Sequence, residues 1–127
     1  MLIFVGVGNV DTPETGKKMA EKIVNLRILD DEQGKMDRSL LESGGDILCV
    51  PEFTLYGNCR RGRRPSYAEA APPNAARPLY EAFVESLREL IEPRGGKVET
   101  GQFQATMEVE SVNDGPVTLL IDSDKIF

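Results

Sequence analysis

PEFTLYGNCRRGRRPSY, residues Pro51 to Tyr67, joins a strand-type run to a basic loop, and the rest of the chain arranges itself around that junction. Phe53-Thr54-Leu55-Tyr56 combines aromatic, β-branched and aliphatic residues and predicts a short strand, stopped by Gly57. Arg60, Arg61, Arg63 and Arg64 follow, so four of the chain's fifteen Lys and Arg residues fall within five positions, although the formal net charge is -6. Guanidinium groups bind phosphate bidentately, and several together suit a nucleic-acid backbone. The competing reading is a solvated loop or an ion-pair patch between subunits; the uneven distribution of sign favours a polyanion site. Thr54 places a hydroxyl at the strand end, and Glu52, the nearby carboxylate, shares its face if the segment is extended. A nucleophilic threonine needs a base. Read from the residues alone, Thr54 is an ordinary strand threonine.

Working back from this stretch, Ile47-Leu48-Cys49-Val50 has the continuous apolar character of a buried strand. Pro51 cannot donate to a ladder and marks an edge or bend. Gly44-Gly45 breaks the chain before that strand, Ser39 to Ser43 reads as a connector, and Asp30 to Lys35 is a polar turn after a short strand at Arg27 to Leu29. Thr12 as N-cap, Pro13 at the first helical position and Glu14 predict a helix to about Leu26, with Met19, Ile23 and Leu26 on one face. Leu2 to Val7 is a second buried-strand run.

Beyond Tyr67, an Ala/Pro-rich link leads to a helix from Ala75 or Pro78 to Ile91, with Leu79, Phe83, Leu87, Leu90 and Ile91 as its apolar stripe. Pro93 and Gly95-Gly96 stop it. Lys97–Thr100, Phe103–Glu110 and Val117–Ile121 read as strands, the last two joined through Asn113-Asp114-Gly115-Pro116. The order β-α-β-β-α-β-β-β predicts one mixed α/β domain over residues 1–127, two helices on a mainly β framework.

Composition narrows the chemistry. Hydrophobic content of 40% and charged content of 28% are those of a globular domain. No apolar run approaches the roughly 20 residues of a membrane helix, and MLIFVGVG lacks the basic start of a secretory signal. Cys49 and Cys59 read as free thiols in a reducing compartment. The chain has no histidine, which excludes Ser-His-Asp and Cys-His sites and any His-ligated metal. A carboxylate-only metal site remains open, but the Asp and Glu residues are scattered and follow no calcium-loop pattern. An enzyme of this composition would act on a labile bond, or through backbone groups or the substrate itself.

KIVNLRI (22–28), EFTLYGN with GRRPS (62–66), AAPP (70–73), VETGQF (98–103) and VNDGPVTLLID (112–122) together resemble the D-aminoacyl-tRNA deacylases, in order and spacing, from Leu2 to about Ser123. The resemblance implies the family's α/β fold, a mixed or antiparallel β framework with two helices. It also implies a cytoplasmic homodimer that hydrolyses the ester of D-aminoacyl-tRNA, and of glycyl-tRNA, without cofactor or metal and without a membrane or DNA partner. Pro51, Glu52, Phe53, Thr54 and Leu55 match the pocket-floor motif. Backbone N–H groups near Phe53 and Thr54 would hold the aminoacyl group and an oxyanion, with the RNA 2′-hydroxyl assisting. Gly115-Pro116, with Asn113 and Thr118, matches a Gly-cisPro motif that enters the partner's pocket and excludes L-amino acids. Phe103, Ala105 and Met107 match the terminal-adenosine pocket, where Phe103 would stack. Arg60, Arg61, Arg63 and Arg64 would meet tRNA phosphates.

Three departures stand out. The family has Ser-Gln where this chain has Pro51-Glu52. An animal sister group that removes a misattached L-amino acid also has Pro before Gln, so it is Glu52 that sets this chain apart, as a new base or as a charge opposing RNA. Gln104 replaces a glycine and would crowd the adenosine pocket. Further N-terminal strands of the family, with an arginine that steadies the Gly-cisPro, are missing, which predicts either an upstream start or a shortened form. The alternatives are an editor of L-aminoacyl-tRNA and a catalytically silent RNA- or protein-binding relative.

Overall fold

A computed structural model of the chain describes residues 1–126. Strand β1, Leu2–Val5, lies parallel to β4, Ile47–Pro51, in a register from Leu2↔Leu48 to Val5↔Pro51. Strand β4 in turn lies parallel to β5, Val98–Thr100, from Ile47↔Val98 to Cys49↔Thr100, so the sheet order is β1-β4-β5. Parallel neighbours require crossovers. Helix α1, Pro13–Val24, lies in the first and helix α3, Pro73–Ile91, in the second.

The capping expected for α1 is present: the Thr12 hydroxyl accepts from the Thr15 N–H at 3.2 Å, with Pro13 and Glu14 in the first turn. Helix α3 starts slightly earlier than expected. It buries Ala76, Tyr80, Phe83, Val84, Leu87 and Ile91 on the i, i+3/i+4 face and closes through a 3-10 turn, Glu92–Arg94. The two helices pack on each other and on the sheet, around a core that includes Val24, Ile47, Cys49, Leu87 and Ile91.

Between α1 and β4 the chain makes an antiparallel hairpin of β2, Leu29–Asp30, and β3, Met36–Arg38. The acidic turn has a structural job: Asp31 Oδ1 accepts from the Gln33 and Lys35 N–H groups at 2.8 and 2.9 Å. Helix α2, Leu40–Ser43, stands where a connector was expected. A capping box makes it: Ser39 Oγ accepts from the Glu42 N–H, and Glu42 Oε2 accepts from the Ser39 N–H. Those bonds, the Ser39 backbone first, hold the Glu42 carboxyl below its usual range.

The α/β class therefore holds, with three α-helices rather than two and a parallel sheet beside a separate antiparallel hairpin among the described residues. Three expected strands are absent. Phe53–Tyr56 is a 3-10 helix, and Phe103–Glu110 and Val117–Ile121 join no ladder. The strand character of these last two describes fit to a pleated neighbour, and no strand pairs with them among the described residues. Their alternation survives in burial: Phe103, Ala105 and Met107 are partly covered, whereas Gln104, Thr106 and Glu108 are exposed. Phe103 and Ile121 pack on the core, while Val112 and Leu120 stand 95% and 72% exposed. Among the described residues no helix is long and apolar enough to cross a membrane.

Candidate active site and basic loop

In open parallel sheets, ligands bind beyond the carboxyl ends of the strands. Here that edge carries Gly6-Val7-Gly8 after β1, Glu52 after β4 and Gly101 after β5. Pro51 closes the central strand at a point where its missing N–H is not needed, because the next amide, Glu52 N–H, donates to the Val5 carbonyl at 2.8 Å.

The 3-10 helix Phe53–Tyr56 follows from Glu52. Glu52 Oε1 accepts from the Thr54 N–H at 3.4 Å and also receives the Thr54 hydroxyl, while Gly57 N–H returns to the Thr54 carbonyl at 2.9 Å. A side-chain acceptor at the cap and a turn bond at the end offer this segment an alternative to extended pairing. Tyr56 pins the far end. Its ring lies over Gly6 and Gly8, and its phenol is pushed up to about 12 by burial first, then by the charges of Asp11, Asp122, Asp124 and Glu69.

The expected pocket floor is thus an exposed ledge. Phe53 and Leu55 are 59% and 54% exposed, and Phe53 leans edge-on against Tyr67 with ring centroids 5.1 Å apart. The Phe53 N–H, first in the helix, has no intrahelical acceptor. The Thr54 N–H and hydroxyl both point to the Glu52 carboxylate. Glu52 and Thr54 are therefore brought together as the sequence suggested, through a tight turn rather than one face of a strand.

A second wall adjoins the first at Gly101. A Cβ there would stand 2.9 Å from Met107 Sδ and 3.2 Å from Pro51 Cδ, which brings together residues more than fifty positions apart in the chain. The Cys49 carbonyl accepts both the Gly101 N–H and the Tyr80 hydroxyl, each at 2.9 Å. Phe103 packs against Tyr80 with centroids 5.9 Å apart, and the Arg77 guanidinium stands 4.7 Å from the centre of its ring. Stacking on Phe103 is thus already in use by Arg77, a residue that no sequence signal had singled out. Ala105 and Met107 alternate with it on the same side. Gln104, at the position where the resemblance places glycine, has φ 61°. The glycine is explained by backbone conformation, which glutamine adopts at a cost.

The turn Asn113 to Thr118 is braced by one side chain. The Asn113 amide donates to the Val117 carbonyl at 3.3 Å and to Thr118 Oγ1 at 3.1 Å, and its oxygen accepts from the Val117 N–H at 3.3 Å. The Gly115-Pro116 bond is cis, and the whole turn is exposed.

The basic loop is closed at its base. Asn58 and Ser66 exchange backbone hydrogen bonds at 2.8 and 3.0 Å, and Asn58 Oδ1 accepts from the Arg60 N–H at 3.1 Å. An open groove of about 370 Å³ is lined by Asn58, Arg60, Arg61 and Ser66. All four arginines are exposed, and none makes an ion pair among the described residues. The carboxylates of the same subunit do not neutralise the cluster among the described residues. Cys59 is exposed; Cys49 is fully buried, and burial pushes its thiol up to about 12. Among the described residues no three His, Cys, Asp or Glu side chains gather as metal ligands.

The free Phe53 N–H at the carboxyl edge of a parallel sheet, and four exposed arginines that make no ion pair among the described residues, mark the candidate site of an α/β protein. The family described as D-Tyr-tRNA(Tyr) deacylase matches residues 1–122, and the chain belongs to that family. It is 57% identical over 127 residues to a D-aminoacyl-tRNA deacylase of Thermosipho africanus and 56% identical over 127 residues to one of Thermotoga petrophila. In each case the match covers 100% of this chain and 83% of the relative. Among solved structures, the c-Myc DNA unwinding element binding protein aligns with TM-score 0.84 and 36% identity, over 93% of this chain and 78% of the other. A probable eukaryotic D-amino acid tRNA deacylase aligns with TM-score 0.60 and 20% identity, over 72% and 54%, and supports the fold alone.

Proposed function

We propose that this chain hydrolyses the ester that joins a D-amino acid to the terminal ribose of tRNA, releasing free tRNA and the amino acid. Membership of the deacylase family is the observation that carries the reading. The ester carbonyl lies at the head of the 3-10 helix, where the Phe53 N–H stabilises the oxyanion, joined by the Thr54 N–H once substrate displaces the Glu52 carboxylate from it. Water attacks the carbonyl carbon, the bond to the ribose oxygen breaks, and that oxygen leaves with a proton as the tRNA hydroxyl. Thr54 serves through its backbone, since its hydroxyl is engaged by Glu52. The RNA 2′-hydroxyl assists the transfer.

The remaining assignments belong to the same proposal. Arg60, Arg61, Arg63 and Arg64 meet tRNA phosphates. Pro51, Leu55, Ala105 and Met107 line the end of the acceptor, with Phe103 and Arg77 as one stacked pair beside the adenosine. The chain works as one domain in a cytoplasmic homodimer, in which the braced Asn113–Thr118 turn of one subunit screens the pocket of the other against L-amino acids. Glycyl-tRNA, which has no side chain to reject, is a further substrate. The names of the relatives favour neither an L-aminoacyl editor nor a silent binding protein.

Incubation with D-Tyr-tRNA, Gly-tRNA and L-Tyr-tRNA tests the reading. Release of D-tyrosine and glycine with L-tyrosine retained is the expected result. Binding of all three without release of any would overturn the hydrolase.

A further inference from the structure

We propose that the groove at the base of the arginine loop holds phosphates of the unpaired 3′ end of the RNA, so that the protein reads the last nucleotides of its substrate and leaves the stem unread. This rests on the deacylase reading above and names the part of the RNA that the loop meets. Asn58 and Ser66 form an isolated antiparallel bridge at the loop's base, and with Arg60 and Arg61 they line the groove. Its free groups are donors. Asn58 Oδ1 is taken by the Arg60 N–H at 3.1 Å, while the Asn58 amide nitrogen and the Ser66 hydroxyl make no hydrogen bond among the described residues. Together with two guanidinium groups that make no ion pair among those residues, they match the acceptor oxygens of a phosphate.

Position decides which phosphates these are. Ser66 is followed by Tyr67, whose ring lies 5.1 Å from that of Phe53, and the Phe53 N–H is the free amide at the head of the 3-10 helix. A Cβ on Gly57 would stand 3.2 Å from the Tyr67 ring and 3.8 Å from Pro65, so the loop folds back onto the helix it leaves. One aromatic pair thus separates the groove from the ester. The loop is also short: its tip at Gly62 stands at most about 14 Å from the Asn58–Ser66 bridge. The opposite end of the 3-10 helix repels RNA, because the charges of Asp11, Asp122, Asp124 and Glu69 all act on Tyr56 there. The RNA backbone therefore leaves the ester on the Phe53 side, and the groove holds the first cationic donors it meets. Charged tRNA carries its amino acid on a single strand, so the phosphates nearest the ester are unpaired ones. A basic groove beside the exposed rings of Phe53 and Tyr67 suits such a strand, whose backbone it tracks while bases stack.

The test compares kcat/KM for D-Tyr-tRNA, for the 3′-D-tyrosyl ester of the trinucleotide CCA and for that of adenosine. It uses the wild-type protein and the double variant Arg60→Ala, Arg61→Ala, with a urea midpoint to confirm folding. At about 0.15 M salt the trinucleotide ester is expected to match D-Tyr-tRNA within about threefold, because charges beyond a Debye length are largely screened. It is expected to exceed the adenosine ester by about 10- to 100-fold, the span of a hydrogen bond to a charged group. The double variant is expected to lose most of that advantage. A tRNA ester far better than the trinucleotide ester puts binding on the stem and overturns the assignment. So does a trinucleotide ester no better than adenosine, and so does an advantage that the variant keeps. If no ester is cleaved, the deacylase reading falls by itself, and fluorescence titration with unacylated CCA decides the groove. Binding that weakens in the variant then upholds the groove, and binding that is absent or unaltered overturns it.

Discussion

Tyr56 and Gly8 touch so closely that a Cβ on Gly8 would stand 2.5 Å from the Tyr56 hydroxyl oxygen. The run Gly6-Val7-Gly8 is thus more than the end of a strand. It is the seat on which the last residue of the 3-10 helix rests, and through it the helix keeps its angle to the sheet. Gly8→Ala is expected to destabilise the protein by about 1–3 kcal/mol, the usual cost of overpacking, and to lower deacylation by tilting the amide ledge. Tyr56→Phe removes the clashing oxygen, so the double variant should be less damaged than the sum of the two changes. Urea unfolding of all four proteins measures the coupling.

Gln104 holds a left-handed backbone at φ 61°. Glycine reaches that region without a Cβ penalty, although it gains more freedom in the unfolded chain. Gln104→Gly is expected to raise stability by roughly 0.5–1 kcal/mol, and Gln104→Val to lower it by more. Thermal midpoints decide, and a fall with glycine would contradict the account.

Alkaline stability depends on three covered acids, Cys49, Tyr56 and Tyr80, the Tyr80 phenol being pushed up by burial beyond the other two. Burial raises the Cys49 thiol from its ordinary 9.0 to about 12 and the Tyr56 phenol from 10.0 to about 12. Each folded value exceeds the unfolded one, so the unfolded chain releases its proton first. The contribution of each group is full below its unfolded value and is lost as pH rises towards about 12. Urea midpoints should begin to fall near pH 9.0, and in Cys49→Ala the fall should wait until the phenol range.

The arginine loop should reveal itself through salt. If Arg61 and Arg63 each meet a phosphate, replacing either by Ala weakens tRNA binding at low salt and flattens the slope of log K against log salt by about 0.7–0.9. Both side chains are exposed, so folding stability should hardly change. Filter binding across a salt series tests this; an unaltered slope would remove the loop from the interface.

Much of this architecture was legible because it rests on local rules. Thr12-Pro13-Glu14 announced α1, the apolar stripe from Phe83 to Ile91 announced α3, and continuous apolar runs announced β1 and β4. The Ser39–Glu42 spacing of a capping box was equally readable, and α2 follows from it. Phe53–Tyr56 misled because its residues favour strands, while Glu52 before it and the Tyr56 seat on Gly8 impose a turn. No window of sequence contains that contact. Geometry around the candidate site was less legible. Asn113 and Thr118, named together from the sequence, are in contact, but the Arg77 guanidinium on Phe103 joins residues from separate elements and leaves no local trace.

The central position of β4 has a consequence for how the molecule is made. Its partners are β1, about forty-five positions earlier, and β5, about fifty positions later. Contacts of such separation close large loops before they are rewarded, so sheet assembly is slower than helix formation. On a ribosome, the ledge after Pro51 emerges well before Val98 and Gly101 exist to support it. The arginine loop is then present on a nascent chain whose sheet edge is unfinished, and the two halves of the candidate site mature at different times.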